Sequence, residues 1–215
     1  MSLGKEINDY IASFNQNVPS EKRAIMEQAT AELSASDMLT KVIKTGDKAP
    51  DFVLKDQNGK EQRLSEISTG PKILTFYRGG WCPYCNLELK AYQRALADIK
   101  ELGATLIAVT PETPDHSLST IEKNNLEFLV LSDPGLQIAE SYGLVFSFPD
   151  SLKKLYLEFG LDVGAANGMD DWKLPLASTL ILASDLSVIR DFHDTDYRKR
   201  LDPSDVLETL RHYKA

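Results

Sequence analysis

Cysteine is nearly absent: there are two in 215 residues, Cys82 and Cys85, three positions apart. No distant pair exists to cross-link the chain, so a secreted disulfide scaffold does not fit and the core must hold by packing. Histidine is equally scarce. His116, His193 and His212 lie far from the cysteines, and the four-ligand spacing of a structural zinc site is missing, so no metal is expected. Asp191, His193, Asp194 and Asp196 form a polar cluster that a charged loop after a strand explains as well as a metal site does. Basic charge is in short supply too: 24 Lys and Arg stand against 32 Asp and Glu, a net charge of -8. That balance disfavours nucleic acid and anionic lipid surfaces, which need clustered cations. No apolar run approaches the roughly 18 residues of a membrane helix. The first ten residues lack a basic segment followed by an apolar one, so no export signal is expected. A cytoplasmic protein is the expectation. In that reducing compartment a lone Cys-x-x-Cys reads as redox chemistry or metal binding, not as a structural bridge.

What is present is an ordinary globular balance, 42% apolar and 26% charged, in a length that suits one domain with an appendage. Ile7, Tyr10, Ile11 and Phe14 form one helical stripe. Pro19-Ser20-Glu21 breaks and restarts the helix, with Ser20 the expected N-cap, and Ile25, Met26, Ala29 and Leu33 follow. Residues 1–45 thus read as a helical extension, serving either to pack on the main domain or as a dimer arm, and 46–215 as the main domain. Within it, strands are expected at 52–54, 72–77, 104–109 and 128–131. The 72–77 run is apolar enough to be covered on both faces. Helices are expected at 83–102, ended by Gly103, at 117–123, and from Asp133-Pro134-Gly135 to Tyr142. Residues 144–174 read as an irregular insertion with one helix at 150–159. A hairpin (178–182 and 187–192, turning at Asp185) and a helix at 205–213 close the chain. Alternating strands and helices, then a hairpin, give an α/β fold: a thioredoxin-like mixed sheet flanked by helices.

The segment Trp81-Cys82-Pro83-Tyr84-Cys85 falls between a central strand and a long helix. A thiol attacks as thiolate, and the unpaired N–H groups and positive dipole end of a helix's first turn favour the charged form. Pro83 suits a first helical position, and a spacing of three brings both sulfurs to one face, compatible with a Cys82–Cys85 disulfide. The bland alternative is a pair of small buried hydrophobes. Arg78 either adds positive potential or is a surface residue paired with a carboxylate. Trp81 either shields the sulfurs or contacts a partner.

The sequence resembles the alkyl hydroperoxide reductase/thiol-specific antioxidant (AhpC/TSA) family, in a peroxiredoxin-like branch. Its markers are Gly46-Asp47-x-Ala49-Pro50-Asp51-Phe52, then Phe76-Tyr77-Arg78-Gly79-Gly80-Trp81-Cys82-Pro83-Tyr84-Cys85, Leu131-Ser132-Asp133-Pro134, and Asp196-Tyr197-x-x-Arg200-Leu201-x-Pro203. The resemblance implies a thiol-dependent peroxidase acting on hydrogen peroxide or organic hydroperoxides. The two cysteines would cycle through a disulfide reduced by thioredoxin or a similar dithiol, with no bound cofactor. Counted without gaps from Phe76-Tyr77, Arg78 takes a family proline's place, Cys82 that of a threonine, and Cys85 that of the peroxide-attacking cysteine. Glu88 matches a family acid three residues on. The thioredoxin frame makes Cys82 the nucleophile instead; the ungapped register favours Cys85 for peroxide and Cys82 for exchange with the reductant. The family's second arginine is missing from Pro175-Leu176-Ala177-Ser178-Thr179, and Arg78 is the candidate replacement. Pro175 lies near the place of the thioredoxin cis-proline. The alternative activity is thiol–disulfide exchange on proteins, and a non-enzymatic redox sensor is a third reading. Related folds commonly pair, so a homodimer is expected.

Overall fold

The computed structural model describes residues 2–168 and 171–213. The chain opens with α1 (Leu3–Asn17), capped by the Ser2 hydroxyl, which accepts from the Lys5 N–H. α2 (Ser20–Ser34) follows, and its N-cap is Pro19 rather than Ser20. Pro19 already has an extended backbone (φ -53°, ψ 143°), so the helix starts one residue earlier than a search for a capping hydroxyl suggests. After the single turn α3 (Met38–Lys41) come β1 (Val53–Asp56) and β2 (Glu61–Arg63), an antiparallel pair. Its turn is fastened by Asp56, whose carboxylate accepts from the N–H groups of Asn58 and Lys60.

The central elements are β3 (Lys72–Phe76), α4 (Pro83–Glu101), β4 (Thr105–Thr110), α5 (Pro114–Asn124), β5 (Leu129–Ser132) and α6 (Gln137–Ser141). Next are β6 (Val145–Ser147), α7 (Asp150–Glu158), α8 (Val163–Ala166) and β7 (Lys173–Pro175). β8 (Ser178–Leu182), β9 (Val188–His193) and α9 (Pro203–His212) complete the fold. One seven-stranded sheet runs β2-β1-β5-β4-β3-β8-β9. β3, β4 and β5 are parallel, while β8 and β9 are antiparallel to their neighbours, as the helix-then-hairpin order requires. β3 lies between β4 and β8, and all five of its residues are buried.

The two faces of β3 feed different cores, following the two-residue period of a strand. Ile73 joins Leu106, Val130 and Ile181 beneath α4 and α9, whereas Leu74 and Phe76 face Leu131, Leu180 and Tyr142 on the other side. α1 belongs to the first core through Leu3 and Ile7, with Tyr10 and Ile11 packed against it. Its stripe therefore covers this chain's own α4. α2 meets α7, and Ala29 shares a third cluster with Phe148, Leu152, Tyr156 and Leu174.

The stretch expected to be irregular is better ordered than its sequence suggests. Its helix is α7, but β6 and β7 pair across its base, Val145 with Pro175 and Ser147 with Lys173. Strands of three residues are too short to show alternation. Among the described residues no peptide bond is cis, so Pro175 differs from the cis-proline of the thioredoxin comparison. No helix among them is long and apolar enough to cross a membrane.

Because Ile7 is only 7% exposed in the main core, Ile7→Ala should lower unfolding free energy by about 2–5 kcal/mol. Urea denaturation is the measurement; an unchanged midpoint would mean that α1 does not share the fold's cooperative unit.

Candidate active site

The end of β3, the loop 77–82 and the first turn of α4 carry the redox motif. Two glycines shape the loop. Gly79 sits at φ 142°, and a Cβ there would strike the Trp81 indole at 2.3 Å. A Cβ on Gly80 would lie 1.9 Å from the Thr120 hydroxyl of α5. A side chain at 80 would push the loop off α5, and one at 79 would displace the Trp81 indole. Glu112, just past β4 and 4% exposed, accepts from the Gly80 N–H at 2.9 Å. Asn86 donates to the carbonyls of Gly80 and Cys82 and is itself held by Asn124.

Cys82 takes the N-cap position of α4, Pro83 is its first residue, and Cys85 lies in its first turn. Both sulfurs are free thiols and both residues are buried, at 1% and 0% exposure. Around them stand two guanidinium groups. Arg78 is buried and stacked in an aromatic cage, 4.6 Å from the Tyr197 ring centroid, 5.1 Å from Trp81 and 5.5 Å from Phe148. It donates to the Tyr156 hydroxyl at 3.4 Å, and no carboxylate pairs with it among the described residues. The alternative of a surface arginine in an ion pair is therefore overturned: the ring faces of the cage replace a carboxylate. Arg200 comes from the loop between β9 and α9. It donates to Glu88 at 2.7 Å, with both side chains 1% exposed, and to the Cys85 sulfur at 3.7 Å.

The sequence points to Arg78 for the cation missing before β8; Arg200 adds a second guanidinium, bonded to the Cys85 sulfur. It stands in the quoted Asp196–Pro203 motif, about twenty residues later in the chain, and folding returns it to α4. Glu112, Asn167 and Tyr156 also escaped notice. Asn167 is fully buried, accepts from the Trp81 indole N–H at 3.2 Å and donates to the Arg78 carbonyl at 3.4 Å. The one signal for Glu112 was its place just beyond a parallel strand next to β3. Tyr77, the other residue of the Phe-Tyr register, is fully buried, and burial raises its phenol. His193 bonds to the Ile43 carbonyl and Asp191 to Thr45, so each member of that pair has a partner in the fold.

Burial alone raises a thiol's pKa. At Cys82 that effect is overcome by the hydrogen-bonded Cys85 thiol, then by Arg78 and Arg200, and the sulfur is held well below the usual thiol range. At Cys85 burial acts with the neighbouring Cys82 charge and pushes the thiol up. Burial likewise raises Glu88, against the pull of Arg200, to about 7. These causes favour the thiolate form at Cys82 over Cys85. A titration of thiolate absorbance in the reduced protein should show one inflection on the acid side of an ordinary cysteine, lost in Cys82→Ser. Arg78→Met should move it upward by about 1–3 units; an unmoved inflection would remove Arg78 from the account.

Similarity to known proteins agrees with this geometry. Peroxiredoxin Bcp of Escherichia coli is 28% identical over 102 residues, 47% of this chain and 65% of that protein. The thiol-disulfide oxidoreductase ResA of Halalkalibacterium halodurans is 29% identical over 102 residues, 47% of this chain and 57% of that one. The chain spans about half to two thirds of the length of such curated relatives. Peroxidoxin BcpB of Mycobacterium tuberculosis superposes with a TM-score of 0.62 over 80% of this chain and 99% of its own, at 22% identity, a likeness of fold. Residues 45–188 match the AhpC/TSA family. With more than half of its length matched and a thioredoxin-like sheet beneath the cysteine pair, the chain belongs to the AhpC/TSA family.

Proposed function

We propose that the chain is a thiol-dependent peroxidase that reduces a hydroperoxide through Cys82 and Cys85. The observation that carries this reading is a lowered thiol that is 1% exposed yet lines a cavity beside a guanidinium with no carboxylate partner among the described residues. A sulfur so placed is within reach of a small molecule with a terminal –OOH, whereas exchange with a protein needs the first turn of α4 to open. The ungapped register favours Cys85 as the attacking sulfur. Cys82 is the better candidate on geometry, because it lines the cavity and carries the charge, whereas Cys85 lies behind it with a raised pKa.

In the first step the Cys82 thiolate attacks the terminal peroxide oxygen; the S–O bond forms as the O–O bond breaks. The departing alkoxide takes a proton from water and leaves as an alcohol. Arg78 faces the oxygens as negative charge passes from sulfur to them. Cys85 then attacks the Cys82 sulfenic acid, the S–S bond forms and water leaves. A dithiol of the thioredoxin type reduces the disulfide by exchange and is itself oxidised. Such a reductant fits a cytoplasmic setting. Trp81 and Tyr77 fix the loop, Pro83 starts the helix, and Glu88 fixes Arg200. No step calls for a bound cofactor. A homodimer remains the expected assembly, tested by sedimentation.

Thiol–disulfide exchange is the second reading. A lowered first cysteine with a raised second one suits a dithiol reductant as well. Stopped-flow mixing of the reduced protein with hydrogen peroxide and cumene hydroperoxide, followed by tryptophan fluorescence, separates them. A fast phase that survives Cys85→Ser and vanishes in Cys82→Ser is expected. The reverse pattern keeps the peroxidase and returns the attack to Cys85. No fast phase in any form, with rapid reduction of a protein disulfide, would hand the function to the second reading.

A further inference from the structure

One buried carboxylate near the sulfurs has no part in the steps above: Glu112. β3 and β4 run in parallel, and their ladder continues past β3, with the Tyr77 N–H donating to the Val109 carbonyl at 2.9 Å. The two chains therefore leave the sheet together, which sets Glu112 against the loop that leads to Cys82. Glu112 is 4% exposed. Its carboxylate's hydrogen-bond partners among the described residues are the Gly80 N–H at 2.9 Å and the Thr110 hydroxyl at 3.5 Å, and neither is a cation. Burying a carboxylate without a cation costs stability. Packing alone would be served as well by a neutral side chain.

Gly80 is the fixed point of that loop. Its N–H goes to Glu112, its carbonyl accepts from Asn86 at 2.7 Å, and its α-carbon is pressed against Thr120 with no room for a side chain. From there the chain makes one turn to the sulfur, with the Cys82 N–H donating to the Gly79 carbonyl at 3.1 Å. A displacement at Gly80 is therefore passed on to the residue that caps α4. Of the three holds, the contacts with Asn86 and Thr120 are neutral. The Glu112 bond is the one that changes when a proton is added.

We propose that Glu112 is a positioning residue for the sulfur chemistry: through the Gly80 N–H its carboxylate holds Cys82 at the start of α4, beside Arg78. The inference rests on the reading of Cys82 as the reacting sulfur and extends the site to the far side of the loop. Burial raises the Glu112 carboxyl, and Cys85 of α4 adds to this, against the pull of the Gly80 N–H and of His116 in α5. Tyr77 at the end of β3 and Lys123 of α5 also border it. Asp133, beyond β5, turns its carboxylate to the N–H groups of α6 instead. Acid therefore neutralises Glu112 at a higher pH than an ordinary glutamate. A neutral carboxyl is the weaker acceptor, so the hold on Gly80 relaxes as pH falls.

The test compares Glu112→Gln and Glu112→Ala with the wild type in single-turnover reaction with hydrogen peroxide, across the acid and neutral range. Each rate constant is divided by the thiolate fraction read from absorbance, which removes the titration of the sulfur itself. In the wild type this ratio should fall as pH falls through the Glu112 titration. In Glu112→Gln, which keeps an acceptor and has no charge to lose, it should stay flat. Glu112→Ala should lower the ratio about tenfold or more at neutral pH, and Glu112→Gln should recover part of that loss. A second measurement needs no turnover and serves if Glu112→Ala does not fold. The Gly80 amide proton, followed by NMR in the Cys82→Ser protein, should titrate on the acid side and stop doing so when Glu112→Gln is added. The same pH course in wild type and Glu112→Gln, or a Gly80 amide that does not titrate, overturns the positioning role and leaves the peroxidase standing. No reaction with peroxide in any form, while the Gly80 amide titrates through Glu112, overturns the peroxidase reading alone; the three proteins should then show the same pattern in reduction of a protein disulfide.

Discussion

Of the two buried guanidinium groups beside the sulfurs, one has a carboxylate partner among the described residues and the other has none, and the site is organised around that imbalance. Arg200 has Glu88 at 2.7 Å; Arg78 has ring faces and a phenol hydroxyl. A charge taken out of water needs an opposite charge or a full set of hydrogen bonds. A cage of π-faces offsets part of that cost and does not neutralise the charge. A thiolate at Cys82, the lowered thiol, would supply what is missing. The stabilisation is mutual: the arginines lower the thiol, and the thiolate is the anion that makes a carboxylate-free Arg78 tolerable. The scaffold serves this arrangement. Asp202 caps α9 through the Ser204 N–H and also accepts from the Leu3 N–H, tying the start of α1 to the loop that carries Arg200. Glu112 and Asn86 hold the opposite side of the motif.

The sheet and its main helices were legible because their signals are local. A continuous apolar run marked β3, glycine marked the end of α4, and a turn marked β8–β9. The motif's place at a helix start followed from Pro83 and from the strand before it. The contacts that decide reactivity are long-range. Arg200 is 115 residues from Cys85, and nothing at position 200 tells a local reading that the loop will return to α4. Arg78 could be read as surface or core because its neighbours, Phe148, Tyr156 and Tyr197, come from three later segments. The β6–β7 pair escaped because three-residue strands carry no period. Ser20 was taken for a cap because a capping hydroxyl is a common signal; the extended backbone of Pro19 set the boundary instead.

A cavity of about 270 Å³ beside Arg78 lies between α2, the β6–α7 segment and the turn after β7. Its floor is family sheet and loop, while much of its roof is α2, which lies before the matched segment. The helices that precede the redox domain thus have two roles in one chain: α1 completes the main core, and α2 encloses space next to the sulfurs.

If the chain is the proposed peroxidase, the depth of the two sulfurs makes the site a one-way filter. A small oxidant can diffuse through the aromatic walls, but a protein thiol cannot make in-line contact with a sulfur that is 1% exposed. On the peroxidase reading, regeneration by a protein would require the first turn of α4 to open, against the hydrogen bonds from Asn86 to Gly80 and Cys82. Entry of oxidising equivalents would then be governed by molecular size, and their exit by the frequency of a local unfolding event. The oxidised form would then store an earlier encounter for a time set by helix fraying rather than by the abundance of reductant.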